Sequence, residues 1–551
     1  MLYTADFETT TDPEDCRVWA TGICSIDDEY KFFYGNSIDY FFNFARLHPG
    51  STFYFQNLKF DGEFNLCWLF EHGFNHVTDR KALKENCFTT LISDKGQFYS
   101  MEICYSDKMK VKIYDSLKIL PFSVAQIAKA FNLPISKLEI DYDEKREIGH
   151  VLTKQEIEYL RNDVEIMARA LKVLFDQQLT QMTQGSNALY DYKNTIGMKN
   201  FKRWFPIPEY DYDIRQSYKG GFTYCDARFK GQDIGEGIVL DVNSLYPSVM
   251  YYNPLPFGEG KFFKGKYQED KLYNLYVQMF TCQFEIKEGY IPTIQLKNNL
   301  SFVPTEYVKS SKGEAITMCL TSLDLELFLE HYHVYNIEWH SGWKFMSTTG
   351  MFKDYIDKWN AVKMESTLNG NKAMRTLAKL MLNALYGKFA LNPRVQSKIP
   401  YYDHGIIRYE LGEEEFRNPI YIPVGTFITA GARYKTITSA QSVYDRFLYA
   451  DTDSLHLMGT ELPEQLEIDP IKLGAWKHES TFTRARFIRQ KTYIEEIDGD
   501  IHITCAGMPE RCYDGVTWEN FFPGSSYSGK LQPMHVPGGI VLKDVDFTIK
   551  G

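Results

Sequence analysis

Two aspartates one residue apart, set between apolar runs, constrain this chain more than any other feature. They lie in Phe447-Leu448-Tyr449-Ala450-Asp451-Thr452-Asp453-Ser454-Leu455-His456-Leu457. Apolar, polar, apolar on this scale predicts a strand, a tight turn and a returning strand. Side chains at i and i+2 of a strand share a face, so Asp451 and Asp453 are expected to project together from the hairpin tip. Two like charges that close are unfavourable unless a cation neutralises them. Oxygen-rich sites suit Mg²⁺, which takes one or two carboxylates together with substrate phosphates. A solvated Asp-Thr-Asp turn is the ordinary alternative, and partners elsewhere in the chain decide between the two.

The N-terminal third holds a second set of acids. Leu2-Tyr3-Thr4-Ala5-Asp6-Phe7-Glu8-Thr9-Thr10 reads as a strand with Asp6 and Glu8 on one face. Ser51-Thr52-Phe53-Tyr54-Phe55 reads as another strand, and Asp61-Gly62 beyond it as a turn. Helical period runs from Thr153 to Phe175 and opens on a capping box, Thr153-Lys154-Gln155-Glu156. Within it Tyr159 and Asp163 stand four apart, hence on one face. Asp6, Glu8, Asp61 and Asp163 can therefore converge beside the Tyr159 phenol. Two metal ions about 3.5–4 Å apart would let such a set activate water and stabilise a leaving oxygen. Two short signals lie between: Ser116-Leu117-Lys118 after a strand-like run, and Lys137-Leu138-Glu139-Ile140 before Asp141-Tyr142. Alone, each reads as a strand end with a solvated lysine.

Further along, Pro206 and Pro208 mark a boundary. In Tyr218-Lys219-Gly220-Gly221 the glycines admit close backbone approach or positive φ. The apolar strand Gly237-Ile238-Val239-Leu240 ends in Asp241, a third carboxylate for the aspartate hairpin, and Tyr246 follows before a proline. Residues 255–350 are strand-rich with a helix from Ser322 to Tyr332, and from Met351 the pattern is helical. Arg375 to Lys388 places Lys379, Asn383 and Tyr386 at i, i+4 and i+7, one helix face suited to a nucleotide's phosphates and base. Arg394 to Phe416 reads as a β-hairpin, far in sequence from the N-terminal acids. Thr429 to Arg433 opens a further helix. Lys491-Thr492-Tyr493 sits in a basic run with Arg484, Arg486 and Arg489, which offers phosphate contacts.

At 551 residues the chain exceeds one core and predicts at least two domains. A net charge of −11 excludes a chain uniformly basic enough to coat nucleic acid, while leaving room for a basic channel. The ten cysteines form no C-x-x-C pair, so they read as free thiols of a reducing compartment, not zinc ligands. Neither a signal peptide nor a membrane-spanning run is evident, and the expectation is a soluble cytoplasmic protein, in the host cytoplasm for a virus.

The order of these motifs carries a resemblance. Asp-x-Glu, Asn-x-x-x-Asp and Tyr-x-x-x-Asp resemble the three motifs of the DEDDy 3′–5′ exonucleases. Asp-x-x-Ser-Leu-Tyr-Pro, Lys-x-x-x-Asn-x-x-Tyr-Gly, Tyr-x-Asp-Thr-Asp-Ser and Lys-x-Tyr then follow in the order of family B DNA polymerases. Tyr-x-Gly-Gly, Ser-Leu-x-x-hydrophobic and Lys-x-x-hydrophobic resemble the protein-primed subgroup.

The resemblance implies an α/β and α+β multidomain fold: an RNase H-like exonuclease domain and a right-hand polymerase with two insertions. Its implied divisions are 1–180 exonuclease, 181–254 palm, 255–350 a first insertion contacting the priming protein, 351–393 fingers, 394–416 a second insertion for strand displacement and processivity, 417–506 palm and 507–551 thumb.

It implies two Mg²⁺ per active site, with Mn²⁺ as a substitute. Asp6, Glu8, Asp61 and Asp163 would be ligands at one site; Asp241, Asp453 and the Val242 carbonyl would be ligands at the other, with Asp451 supporting. Tyr246, Lys363, Lys379, Asn383 and Tyr386 would bind the nucleotide. Thr10, Asn57, Phe60, Phe64, Ser116, Leu117, Lys137 and Tyr142 would grip a frayed single strand. Tyr218, Gly220, Gly221, Arg433, Lys491 and Tyr493 would hold template and primer. One departure is Gln56, where the subgroup carries histidine. The implied partners are template and primer DNA, dNTPs and a terminal protein, with the chain a monomer or a heterodimer with that protein. Other readings are an RNA-templated or nucleic-acid-primed polymerase and a non-catalytic replication factor on a decayed polymerase fold; the intact exonuclease motifs argue against the former and the intact acids against the latter.

Overall fold

A computed structural model describes residues 1–297 and 301–551. An eight-stranded mixed sheet organises the N-terminal third. Its third strand, Leu2–Thr9, pairs antiparallel with Val18–Ser25 and parallel with Thr52–Phe55, so the acid-bearing strand lies inside the sheet. Helix Lys154–Asp176 packs on these strands, and the Thr4 hydroxyl donates to the Val164 carbonyl at 2.6 Å. The helix opens on the capping box: the Thr153 hydroxyl accepts from the Glu156 N–H, and the Glu156 carboxylate accepts from the Thr153 N–H.

Asp61 and Gly62 lie in helix Leu58–Glu71, not in a turn. Nearly all of this helix is buried, so it lacks the one-sided apolar stripe that announces a helix in sequence. Gly62 is required inside it, because a Cβ there would lie 2.8 Å from the Phe98 ring. The helix Ile422–Ser442 was obscured for the same reason. It begins seven residues before Thr429, with Pro423 in its first turn, and is buried on most sides.

That helix lies behind a five-stranded sheet ordered Trp476–Phe482, Gly237–Val242, Ser454–Met458, Phe447–Asp451, Thr223–Cys225. Two helices, Lys353–Leu368 and Lys372–Ala384, pack together across the cleft. A four-stranded sheet between Leu255 and Thr348 carries helix Ser322–His331. A further four-stranded sheet joins Asp233–Ile234, Arg484–Arg489, Thr492–Ile497 and Asp500–Cys505, and there are two long hairpins: Arg394–Asp403 with Ile406–Phe416, and Ser526–Val536 with Gly539–Thr548.

The tips of both hairpins are built into the N-terminal core, where Ile407, Val536, Ile540 and Val541 join Phe64, Phe98 and Leu66. The Tyr409 hydroxyl donates to the buried Glu63 carboxylate at 2.7 Å, and His535 lies 3.5 Å from its other oxygen. The tips also touch each other, the Gly538 N–H donating to the Gly405 carbonyl at 3.1 Å. The hairpin at 394–416 is thus remote from the N-terminal acids in sequence but packed on the helix that carries Asp61.

Candidate active sites

At the first site, Asp6, Glu8 and Asp163 bring carboxylate oxygens within 4.8 Å of one another. Strand alternation puts Asp6 and Glu8 on one face, and the long helix delivers Asp163 to it. Burial, then the charge of Asp163, pushes the Asp6 carboxyl up to about 7. Glu8 is raised well above the usual range by burial and then by Asp6 and Asp163. Asp61 is raised by burial, Asp6 and Asp115, close enough to interact although outside the tight cluster.

A cation is already among these acids. Lys137 donates to Asp163 and, at 3.0 Å, to the Tyr159 hydroxyl. Tyr159 in turn hydrogen-bonds the Tyr142 hydroxyl, and the exposed Tyr142 ring stands at the rim. One Asp163 oxygen remains buried without a hydrogen-bond partner. An all-oxygen set with an orphaned oxygen and carboxyls raised by burial and then by one another fits a hard divalent cation.

The strand-gripping set divides. Asn57 is exposed in a left-handed conformation (φ 69°), which asparagine tolerates, and caps the Asp61 helix. Thr10, Phe60 and Leu117 are half-buried. Ser116 is fully buried, its hydroxyl spent on the Phe55 carbonyl at 3.0 Å and on Gln56 at 2.7 Å, so it braces the wall instead of facing a strand. Phe64 is also buried, under Gly539 of the C-terminal hairpin. Gln56 turns inward and donates to the Leu120 and Phe122 carbonyls at 3.2 and 2.6 Å. Sequence reasoning passed over Asp115, a buried carboxylate that accepts from the Asn57 and Leu117 N–H groups at 3.1 and 3.0 Å. Its only signal was its place at the end of a strand-like run.

At the second site, Asp241, the last residue but one of its strand, stands opposite Ser454 of the aspartate hairpin. Asp453 does not continue the strand alternation. It sits in the turn after Thr452 (φ 58°), and its carbonyl accepts from the Val242 N–H at 2.8 Å. Asp451 stays on the strand and is engaged otherwise: Lys491 reaches its oxygens at 2.8 and 3.0 Å, and the Thr223 hydroxyl donates at 3.0 Å. The two aspartates therefore leave the hairpin in different roles, contrary to the i, i+2 expectation. Burial, then Asp453, pushes Asp241 up to about 7. Asp453 is raised by burial and by Asp451.

Tyr246 stacks on Tyr386 with ring centroids 4.0 Å apart. The helix bearing Lys379 ends at Ala384, and Tyr386 opens a separate short turn, yet Lys379 and Asn383 remain on its open face. Lys363 on the neighbouring helix is half-buried and held below the usual lysine range by burial and then by Lys379. Gly221 makes the close approach read in sequence: a Cβ would lie 2.6 Å from the Thr452 hydroxyl, whereas Gly220 faces open space. Arg433 is a correction. It is 1 % exposed, and its guanidinium is consumed by Asp324 at 2.7 Å and by the Lys219 and Gly220 carbonyls, so it holds the glycine loop and cannot itself reach DNA. Tyr218 is half-buried, Lys491 is occupied by Asp451, and Tyr493 packs on Tyr449 and Phe487.

This arrangement has close relatives. Residues 48–151 and 139–469 match the family model for DNA polymerase type B, organellar and viral. The DNA polymerase of Bacillus phage phi29 is 48% identical over 100% of this chain and 99% of its own length. The chain belongs to the type B DNA polymerases. It is a DNA-directed DNA polymerase with mixed α/β content. The DNA polymerase of Streptococcus phage Cp-1 is 34% identical to this polymerase over 100% of the chain and 98% of its own length. The solved Phi29 DNA polymerase complexed with primer-template DNA superposes with a TM-score of 0.95, at 48% identity and with both chains fully covered. A ternary complex of that enzyme with primer-template DNA and incoming nucleotide gives 0.94.

Proposed function

We propose that this polymerase couples templated synthesis at Asp241 and Asp453 to 3′–5′ removal of misinserted nucleotides at Asp6, Glu8, Asp61 and Asp163. The observation that carries the reading is the N-terminal carboxylate cluster, separate from Asp241 and Asp453, with its orphaned Asp163 oxygen. Mg²⁺ ions, or Mn²⁺ in their place, would lower the pKa of the attacking oxygen and steady the leaving one at each set. In the exonuclease, Lys137 fixes Asp163 and the Tyr159 hydroxyl, while Tyr142, Asn57, Phe60, Leu117 and Thr10 guide the single strand. In the polymerase, the Val242 carbonyl would add a metal ligand, with Asp451 supporting through Lys491. Tyr246 lies under the sugar and excludes a 2′-hydroxyl. Lys363, Lys379, Asn383 and Tyr386 receive the nucleotide. Tyr218, Gly220, Gly221, Lys491 and Tyr493 line the template and primer path, with Arg433 acting through the loop it holds.

The divisions at 180, 254, 350, 393, 416 and 506 separate exonuclease, palm, first insertion, fingers, second insertion, returning palm and thumb. The first insertion docks a priming protein, and the hairpin at 394–416 serves strand displacement and processivity during replication of a linear viral or plasmid genome in a host cell. The test is primer extension with and without a candidate terminal protein. Transfer of a labelled nucleotide to that protein without a DNA primer is expected. Extension of DNA primers alone, with the protein left unlabelled, would assign a nucleic-acid-primed polymerase.

A further inference from the structure

Lys477 was not singled out by any motif. It stands directly opposite Asp241 in the antiparallel pair of Gly237–Val242 with Trp476–Phe482. Opposed residues on such a pair share a face. The next pair, Val242 and Trp476, is buried on the other face, where the Trp476 indole donates to Ser439 of the helix behind the sheet at 3.1 Å. Lys477 therefore rises on the cleft side, beside the acid that begins the polymerase site.

Its charge is felt across the cleft. It opposes the rise of the Asp241 carboxyl, which burial and Asp453 cause. It also helps depress Lys363 and Lys379, behind burial and their own neighbours. Three ammonium groups from two helices and one strand thus face one space, with Arg375 close by. Among the described residues, neither Lys363 nor Lys379 has an ion-pair partner. Lys477 is paired only with Glu479, two residues along its own strand, at 3.1 Å, with both side chains partly exposed. An exposed pair of that kind contributes little and exchanges readily. Glu479, whose charge also reaches Asp241 and Lys379, is the one anion paired with these converging cations among the described residues, and a surplus of that kind forms a site for a polyanion.

We propose that Lys477 is a nucleotide-binding residue that leaves Glu479 and closes on the phosphates of the incoming nucleoside triphosphate from the palm side. The inference rests on the nucleotide site assigned above. Lys363 and Lys379 approach the triphosphate from the fingers, and Lys477 supplies the opposite wall. A strand-borne lysine is present whether or not the finger helices move, so it also holds pyrophosphate before that product departs.

The test uses the full chain on primer–template DNA in single-turnover incorporation, with Lys477→Ala, Lys477→Arg, Glu479→Gln and, for reference, Lys379→Ala. Lys477→Ala is expected to raise the apparent KM for dNTP about tenfold, the loss of one charge-assisted hydrogen bond. It should weaken pyrophosphate inhibition in parallel, with kcat and primer–template affinity close to the parent. Lys477→Arg should restore most of the KM, and Glu479→Gln should lower it. Unchanged thermal unfolding and single-strand degradation report an intact fold. If Lys379→Ala raises KM while Lys477→Ala leaves KM and pyrophosphate inhibition unaltered, the Lys477 role is overturned and the nucleotide site stands. If neither lysine affects KM, the nucleotide site itself is misassigned. A Lys477→Ala variant altered only in the metal-ion concentration it requires would reduce the lysine to a support for Asp241.

Discussion

The two acid clusters use the same side chains under opposite conditions. In the N-terminal site three carboxylates crowd within 4.8 Å, and Lys137 and two phenols fill the space beside them. In the polymerase site Lys491 has drawn Asp451 aside, Asp241 and Asp453 share the opening, and the remaining cations stand across the cleft on other elements. The first site is assembled by the fold alone, since a strand inside a sheet and a capped helix fix Asp6, Glu8 and Asp163, and helix Leu58–Glu71 brings Asp61 beside them. The second is split between a sheet and two helices, and on the proposed assignment a triphosphate would bridge them. On the proposed assignment, hydrolysis at the first site needs water and a strand end, whereas synthesis at the second must wait for the correct nucleotide, and the placement of positive charge fits that difference.

The largest effects should come from emptying either cluster. Asp453→Ala is expected to reduce nucleotide addition by about a thousandfold, the scale of losing a transition-state charge stabiliser, while single-strand degradation stays near the parent rate. Asp6→Ala with Glu8→Ala should do the reverse. Labelled-primer assays read both, and a folded variant of either kind that loses both activities would dissolve the distinction between the sites.

Swapping attention from acids to lysines sharpens it. Lys137→Ala removes the cation inside a buried cluster and should cost degradation about a hundredfold. Lys491→Ala releases an acid that supports from the side and should cost synthesis only about tenfold. Equal losses in single-turnover rates would show that the two lysines do the same job.

Tyr246→Val should lower discrimination against ribonucleotides by about tenfold or more, because the proposed role sets the ring, stacked on Tyr386, where a 2′-hydroxyl would have to fit. Degradation should not respond. Ratios of incorporation for matched dNTP and rNTP decide the point, and an unchanged ratio removes Tyr246 from that role.

The smallest effect on chemistry belongs to the joint between the regions. Tyr409→Phe strands a buried oxygen of Glu63 and is expected to destabilise the hairpin junction by about 1–3 kcal/mol. Thermal unfolding and product length on long templates report it, with both single-turnover rates preserved. Deleting the whole hairpin is a blunter tool, because it would uncover the core around Ile407 and disturb the helix that carries Asp61.

Sequence pattern reached some of this and missed the rest for definable reasons. The Thr153 capping box and the Tyr159–Asp163 spacing are local, and the helix follows them closely. The strand of Asp6 and Glu8 was legible from alternation. Helices Leu58–Glu71 and Ile422–Ser442 escaped or started late because burial on most sides erases the helical period. The i, i+2 argument for Asp451 and Asp453 failed because a turn, with Thr452 at positive φ, falls between them. The resemblance gave Arg433 to template and primer because sequence cannot show that Asp324, over a hundred residues away, already holds it. Lys477 and Asp115 carry no motif at all, and only strand register and burial bring them to the sites.

Extension of a primer with a mismatched, labelled 3′ nucleotide tests most directly whether one chain edits what it synthesises. With matched dNTPs and Mg²⁺, the parent should yield full-length product from which the label is gone. The Asp6→Ala, Glu8→Ala variant should either stall or carry the label into product. Full-length parent product that retains the mismatched nucleotide would contradict the account.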